Sequence, residues 1–150
     1  MRLDSSCEVG GRGRIGVKKL VFGAEATVML VISHVLLRTI PLPRWSRLLG
    51  QPATVDGLDV NGSPARGREG DVGGGIARAA HYFPGNYTCL DRATAGQFML
   101  RLRGNPGAVV IGLKSDGNGE GHAWLVGKTG VVTGQMDQPE GVLTPVSAFR

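Results

Sequence analysis

Hydrophobic positions along this chain fall into three regimes. From about Lys18 to Arg38 they crowd together, in "LVFGAEATVMLVISHVLL" (20–37), and predict one long apolar helix. Pro41 and Pro43 break it, and Trp45, Leu48 and Leu49 then mark a short amphipathic helix, so that the two form a hairpin or bent pair. From 53 to 75 the pattern disappears: "ATVDGLDVNGSPARGREGDVGGG" holds seven glycines and reads as a linker.

Helical spacing returns in "IARAAHYFPG", where Ile76, Ala80 and Phe83 share a face before Pro84 and Gly85 end it. In "TCLDRATAGQFMLRLRG" (88–104), Thr88 is a good N-cap and Asp91, three positions on, completes a capping box. Cys89 therefore opens a helix whose face of Cys89, Ala93, Gly96 and Leu100 is small enough for close packing, with Gly104 as its stop. Beyond it come "GAVVIGL" (107–113), "HAWLVG" (122–127) and "GVVTG" (130–134), short, β-branched and bounded by glycine, as expected of antiparallel strands. The pattern predicts an α+β fold: a tail over 1–16, a helical region over 17–52, a Gly-rich linker over 53–75 and a core over 76–150.

Composition adds limits. With 150 residues and 41% hydrophobic, the chain can build one core without disulfides. Its two cysteines, Cys7 and Cys89, lie too far apart to suggest a disulfide framework, which favours a reducing, cytoplasmic setting. The net charge of +5 suits an acidic peptide or a membrane surface, whereas 5% aromatics with no interleaving of basic residues argues against nucleic acid. The apolar stretch at 20–37 has about the minimum spanning length but carries Glu25 and His34. It reads as a buried or interfacial helix, with peripheral membrane contact as its expected partnership.

The chemistry centres on Cys89. A free thiol, with a pKa of about 8.5, is mostly protonated at neutral pH, and a helix N-terminus favours its anion while offering backbone amides to an oxyanion. His122, 33 positions downstream at a strand start, is the candidate base, and Asp137 in "GQMDQPEG" the candidate third member, with Glu140 and Asp116 as weaker substitutes. Each has a bland alternative: a core cysteine, a structural histidine beside Trp124, a solvated turn aspartate. His34 reads as a packed or interfacial residue, and His81 can approach Cys89 but has no motif around it. Cys89, His81 and His122 have zinc-ligand types without close-spaced pairs, and the glycines at 70–75 follow no strand, so neither metal nor nucleotide nor other cofactor is expected.

Taken together, "TCLDRATAGQFMLRLRG", an aliphatic strand, "GHAWLVG" and "GVVTG" resemble the transglutaminase-like cysteine peptidase superfamily, and within it the leader peptidases of lasso-peptide biosynthesis. The resemblance covers roughly residues 74–150. It implies a papain-like core with Cys89 as nucleophile and His122 as base; Asp137 falls slightly later than the family's acid. It also implies a ribosomally made precursor peptide as substrate, a separate leader-recognition protein, and a separate ATP-dependent cyclase that closes the freed core into a macrolactam. Three alternatives stay open: acyl transfer to an amine, a non-catalytic peptide-binding or scaffold module of the same fold, and a membrane-associated adaptor built on the helix at 18–38.

Overall fold

A computed structural model describes residues 16–58, 62–114, 121–134 and 143–150. Two helices lead, α1 (Val17–Thr39) and α2 (Leu42–Leu49), followed by strand β1 (Pro52–Ala53) and helices α3 (Gly67–Tyr82) and α4 (Cys89–Leu102). Four strands complete the chain: β2 (Ala108–Lys114), β3 (Gly121–Val126), β4 (Val131–Thr133) and β5 (Leu143–Phe149). The five strands form one sheet in the order β1-β5-β2-β3-β4, every neighbouring pair antiparallel.

Helices α1, α3 and α4 pack on one another, and α4 lies against β3. The main core joins Ala26 and Leu30 of α1, Val72 and Ile76 of α3, Met99 and Leu100 of α4, and Leu125 of β3. A smaller core gathers around Trp124 with Val110, Val126 and Ala148, flanked by Ala53, Val55 and Leu58. This is the expected α+β arrangement of helices and a small antiparallel sheet.

The stretch read as a linker is helical from Gly67 onward, and the leading helices share the main core instead of standing apart from it. Glycine costs a helix about 1 kcal/mol relative to alanine and adds nothing to an apolar period, which hid α3 from pattern reading. Its buried face is carried by Val72, Ile76 and Ala79, while its glycines serve close approach. A Cβ on Gly73 would collide with the Val132 carbonyl of β4, and one on Gly75 would lie 3.2 Å from the Phe22 carbonyl of α1. Gly73→Ala is therefore expected to destabilise the fold by about 2 kcal/mol, read as a lowered urea midpoint with an unchanged slope.

Two further expectations change. Phe83, assigned to the apolar face of this helix, is its C-cap residue and is 47% exposed, because the backbone has already turned extended ahead of Pro84. Strand β5 adds to the three strands expected; it carries Pro145, which the ladder accommodates with a register shift next to its partner Gly112.

Helix α1 has the length and mean hydropathy (2.0) of a membrane-crossing segment. One face is nonetheless docked: Ala26, Leu30 and Ser33 are buried, and Glu25 accepts two hydrogen bonds from Arg103, at 2.7 and 2.5 Å. The Arg103 guanidinium also lies 4.7 Å from the centre of the Phe22 ring. Val17, Val21, Val28 and Val35 on the other side are exposed. The tail over 1–15, and with it Cys7, lies outside the described residues, as do Asp116, Asp137 and Glu140.

Candidate active site

The site begins with the cap of α4. Thr88 Oγ accepts from the Asp91 amide at 3.2 Å, and Asp91 Oδ2 accepts from the Thr88 amide at 2.8 Å, giving the reciprocal box that the sequence predicts. Small residues then let the helix settle on the sheet: Ala93 and Gly96 are buried, and a Cβ on Gly96 would come within 2.5 Å of Leu125 Cδ2. Cys89 is thereby placed, half-buried, at the first helical position beside the start of β3.

Three groups address its sulfur. Burial pushes the thiol pKa up, but a hydrogen bond with the His122 side chain, the Ala123 amide and the Leu90 amide together hold it below the ordinary thiol value. Cys89 and His122, separated by the whole of α4, β2 and their connections, are thus brought together.

His122 is itself held. Its Nε2 lies 3.1 Å from the Gly134 carbonyl oxygen, which can only accept, so Nε2 carries the hydrogen and Nδ1 is the nitrogen able to take a thiol proton. Its ring stands edge-on to Trp124, with centroids 4.8 Å apart. Gly134 offers its carbonyl just after β4 at a φ of +102°, a conformation that side-chain-bearing residues rarely adopt. Among the described residues, a backbone carbonyl therefore does for the imidazole tautomer what the sequence assigned to Asp137; that aspartate lies outside them.

The hairpin carrying His122 and Gly134 is anchored from α3. Glu69, only 3% exposed, accepts from Asn105 Nδ2 at 2.7 Å and the Lys128 amide at 3.0 Å through Oε1. Its Oε2 accepts from the Thr129 amide at 2.8 Å and the Thr129 hydroxyl at 2.5 Å. Burial raises the Glu69 pKa and these bonds more than offset it, leaving a depressed carboxyl.

A cavity of about 480 Å³ adjoins the site on the Gly134 side. Its lining is mainly apolar, from Ile76, Ala77 and Val132, with Thr133, His81 and Arg92 supplying polar groups; Arg92 is one turn along α4 from Cys89. His81 belongs to this wall, and among the described residues no three His, Cys, Asp or Glu side chains group as metal ligands. Neither Cys89 nor His122 lines it; the cavity meets the site through Gly134, which holds His122, and Arg92 of α4.

Sequence reasoning found Cys89 and His122 and missed three groups around them. Gly134 and the Ala123 amide act through the backbone, which leaves no side-chain signal. His34 was read as a packed or interfacial residue, yet its Nδ1 lies 3.0 Å from Asp91 Oδ2 at the cap.

The assembled parts, a thiol of lowered pKa, an oriented imidazole and converging amides, suit thioester chemistry. Neither the curated proteins nor the solved structures give a match. The family model described as the transglutaminase-like superfamily matches residues 36–147, from within α1 to within β5 and so well upstream of the start near 74 that the motifs suggested. A fold of cysteine peptidase and acyltransferase type, matched over most of its length, the chain belongs to the transglutaminase-like superfamily.

Proposed function

We propose that the protein is a cytoplasmic cysteine peptidase that removes the leader from a ribosomally synthesised, lasso-type precursor peptide. A separate recognition protein delivers the leader, and a separate ATP-dependent cyclase closes the released core. The observation that carries the peptidase reading is the Cys89–His122 pairing at the start of α4, with the His122 tautomer held by Gly134. The substrate rests on the resemblance of the Cys89 helix and the "HAW" strand to leader peptidases.

The proposed reaction uses the groups around Cys89 in turn. His122 Nδ1 takes the thiol proton, and Cys89 sulfur attacks the scissile carbonyl carbon while backbone amides at the helix start offset the charge on its oxygen. The carbon–nitrogen bond breaks as His122 returns the proton to the departing core amine. Water, deprotonated by His122, then attacks the thioester, releasing the leader as a carboxylic acid and restoring the thiol.

Hydrolysis and aminolysis share every group up to the thioester, so the test reads the acceptor. The precursor is incubated with its recognition protein and this enzyme, with and without a small primary amine, and the leader product is weighed by mass spectrometry. A free-acid leader under both conditions supports the peptidase. A leader that carries the amine whenever it is supplied overturns hydrolysis in favour of acyl transfer. An intact precursor beside a reactive Cys89 thiol overturns the substrate assignment and favours a peptide-binding module.

A further inference from the structure

Helix α1, packed along α4, sends the His34 side chain to the cap of that helix. Its Nδ1 lies 3.0 Å from Asp91 Oδ2, and its ring stands edge-on to Tyr87 with centroids 5.2 Å apart. The imidazole therefore touches the chain on both sides of the nucleophile, two residues before Cys89 and two after it. The contact is closed to solvent on the carboxylate side, where the Asp91 side chain is 4% exposed.

The same Oδ2 already accepts the Thr88 amide at 2.8 Å. The carboxylate there serves the cap of the helix that Cys89 opens. Its oxygen acts as an acceptor, so His34 Nδ1 is the donor of the second bond and ties the cap to α1. The ionisable side chain that acts on the thiol, His122 on β3, already belongs to the proposed mechanism.

We propose that His34 is a positioning residue for the nucleophile: bonded to Asp91 and packed on Tyr87, it fixes the first turn of α4 so that the Cys89 thiol meets His122 and the Ala123 amide. The inference rests on the peptidase reading and gives α1 a part in it. A helix that the sequence shows only as an apolar stretch becomes the support for the reactive end of another.

The test uses the full chain with Cys7→Ser, leaving one thiol, and follows iodoacetamide alkylation of Cys89 against pH in the parent, His34→Ala and His34→Asn. Asparagine places an amide donor near the position of Nδ1. For His34→Ala the alkylation midpoint is expected to rise by about one pH unit, slowing the reaction at neutral pH about tenfold while the limiting rate at high pH stays at the parent value. His34→Asn is expected to stay within about half a unit of the parent, restoring most of the rate.

A His34→Ala protein with the parent's thermal midpoint and alkylation profile overturns the role of His34 alone. So does a His34→Asn protein as slow as His34→Ala. If His34→Ala does not fold, the folded asparagine variant decides by its own midpoint, a full-unit rise overturning the proposal. A parent midpoint at the ordinary thiol value overturns the activated nucleophile, and His34's part falls with it.

Discussion

On the proposed leader-peptidase mechanism, Cys89→Ala protein is expected to release no leader, and His122→Ala protein to lose roughly 10³–10⁴-fold in kcat/KM, with the precursor still bound by the proposed recognition partner. That mechanism has no substitute for the sulfur, whereas it asks the imidazole for proton transfer and stabilisation of the thiolate, so loss of the imidazole leaves a slow residual reaction. The double variant should be no worse than Cys89→Ala, because the two groups act as one unit. The pH dependence separates the two tasks of His122. Its bond is one of those holding the Cys89 thiol below its ordinary value, so His122→Ala should move the alkylation midpoint upward. Single-turnover cleavage and alkylation profiles measured on the same preparations check both statements. Leader release by Cys89→Ala at the wild-type rate would remove the thiol from the mechanism.

Glu69→Ala is expected to cost about 3 kcal/mol of stability, a fall in Tm of roughly 6–12 °C for a domain of this size. The carboxylate takes four hydrogen bonds, from Asn105, the Lys128 amide and both the amide and hydroxyl of Thr129, and its removal takes the shared acceptor from all of them and leaves a gap where the buried Glu69 side chain sat. The sign with pH follows from its depressed pKa. The stabilisation is fully present above the ordinary glutamate value of 4.5 and is lost as the pH falls through the lower folded-state value. The gap between wild type and variant, followed by thermal melts in acid, should therefore narrow below about pH 4.5. Because the same loop leads into β4 and Gly134, the variant is also expected to weaken the hold on His122, seen as a lower kcat at temperatures where it remains folded.

The parts legible in the sequence are those whose physics is local. The Thr88 and Asp91 capping box needs four consecutive residues, and the helix it opens is found with its start correct. The strands around Val109, Leu125 and Val132 announce themselves by β-branched runs between glycines, and His122 follows from its place at one of their starts. The second half of α3 was legible from Ile76 onward, but its first half, 67–75, was not, because glycines there are chosen for what they touch, the Val132 carbonyl and the backbone of α1, and such a reason appears only once the partners are placed. Glu69 sits in that same stretch, where an acidic residue near Asp71 and among glycines resembles a solvated loop. His34 and Asp91 lie 57 positions apart on two helices, and no periodicity connects them. Asp137, the candidate third member, lies outside the described residues, and it stays an expectation drawn from its place as the nearest acidic residue after His122.

Strand β5 lies inside the sheet, between β1 and β2, although it is made after every other strand. Its pairing of Pro52 with Phe149 joins residues about two thirds of the chain apart, which makes it a long and entropically costly loop to close. During synthesis the helices and the β2–β3–β4 meander can form early, leaving the β2 edge bare until β5 emerges. Folding of this protein is therefore expected to be slow for its size, with its most aggregation-prone stage the one in which β2 still lacks β5.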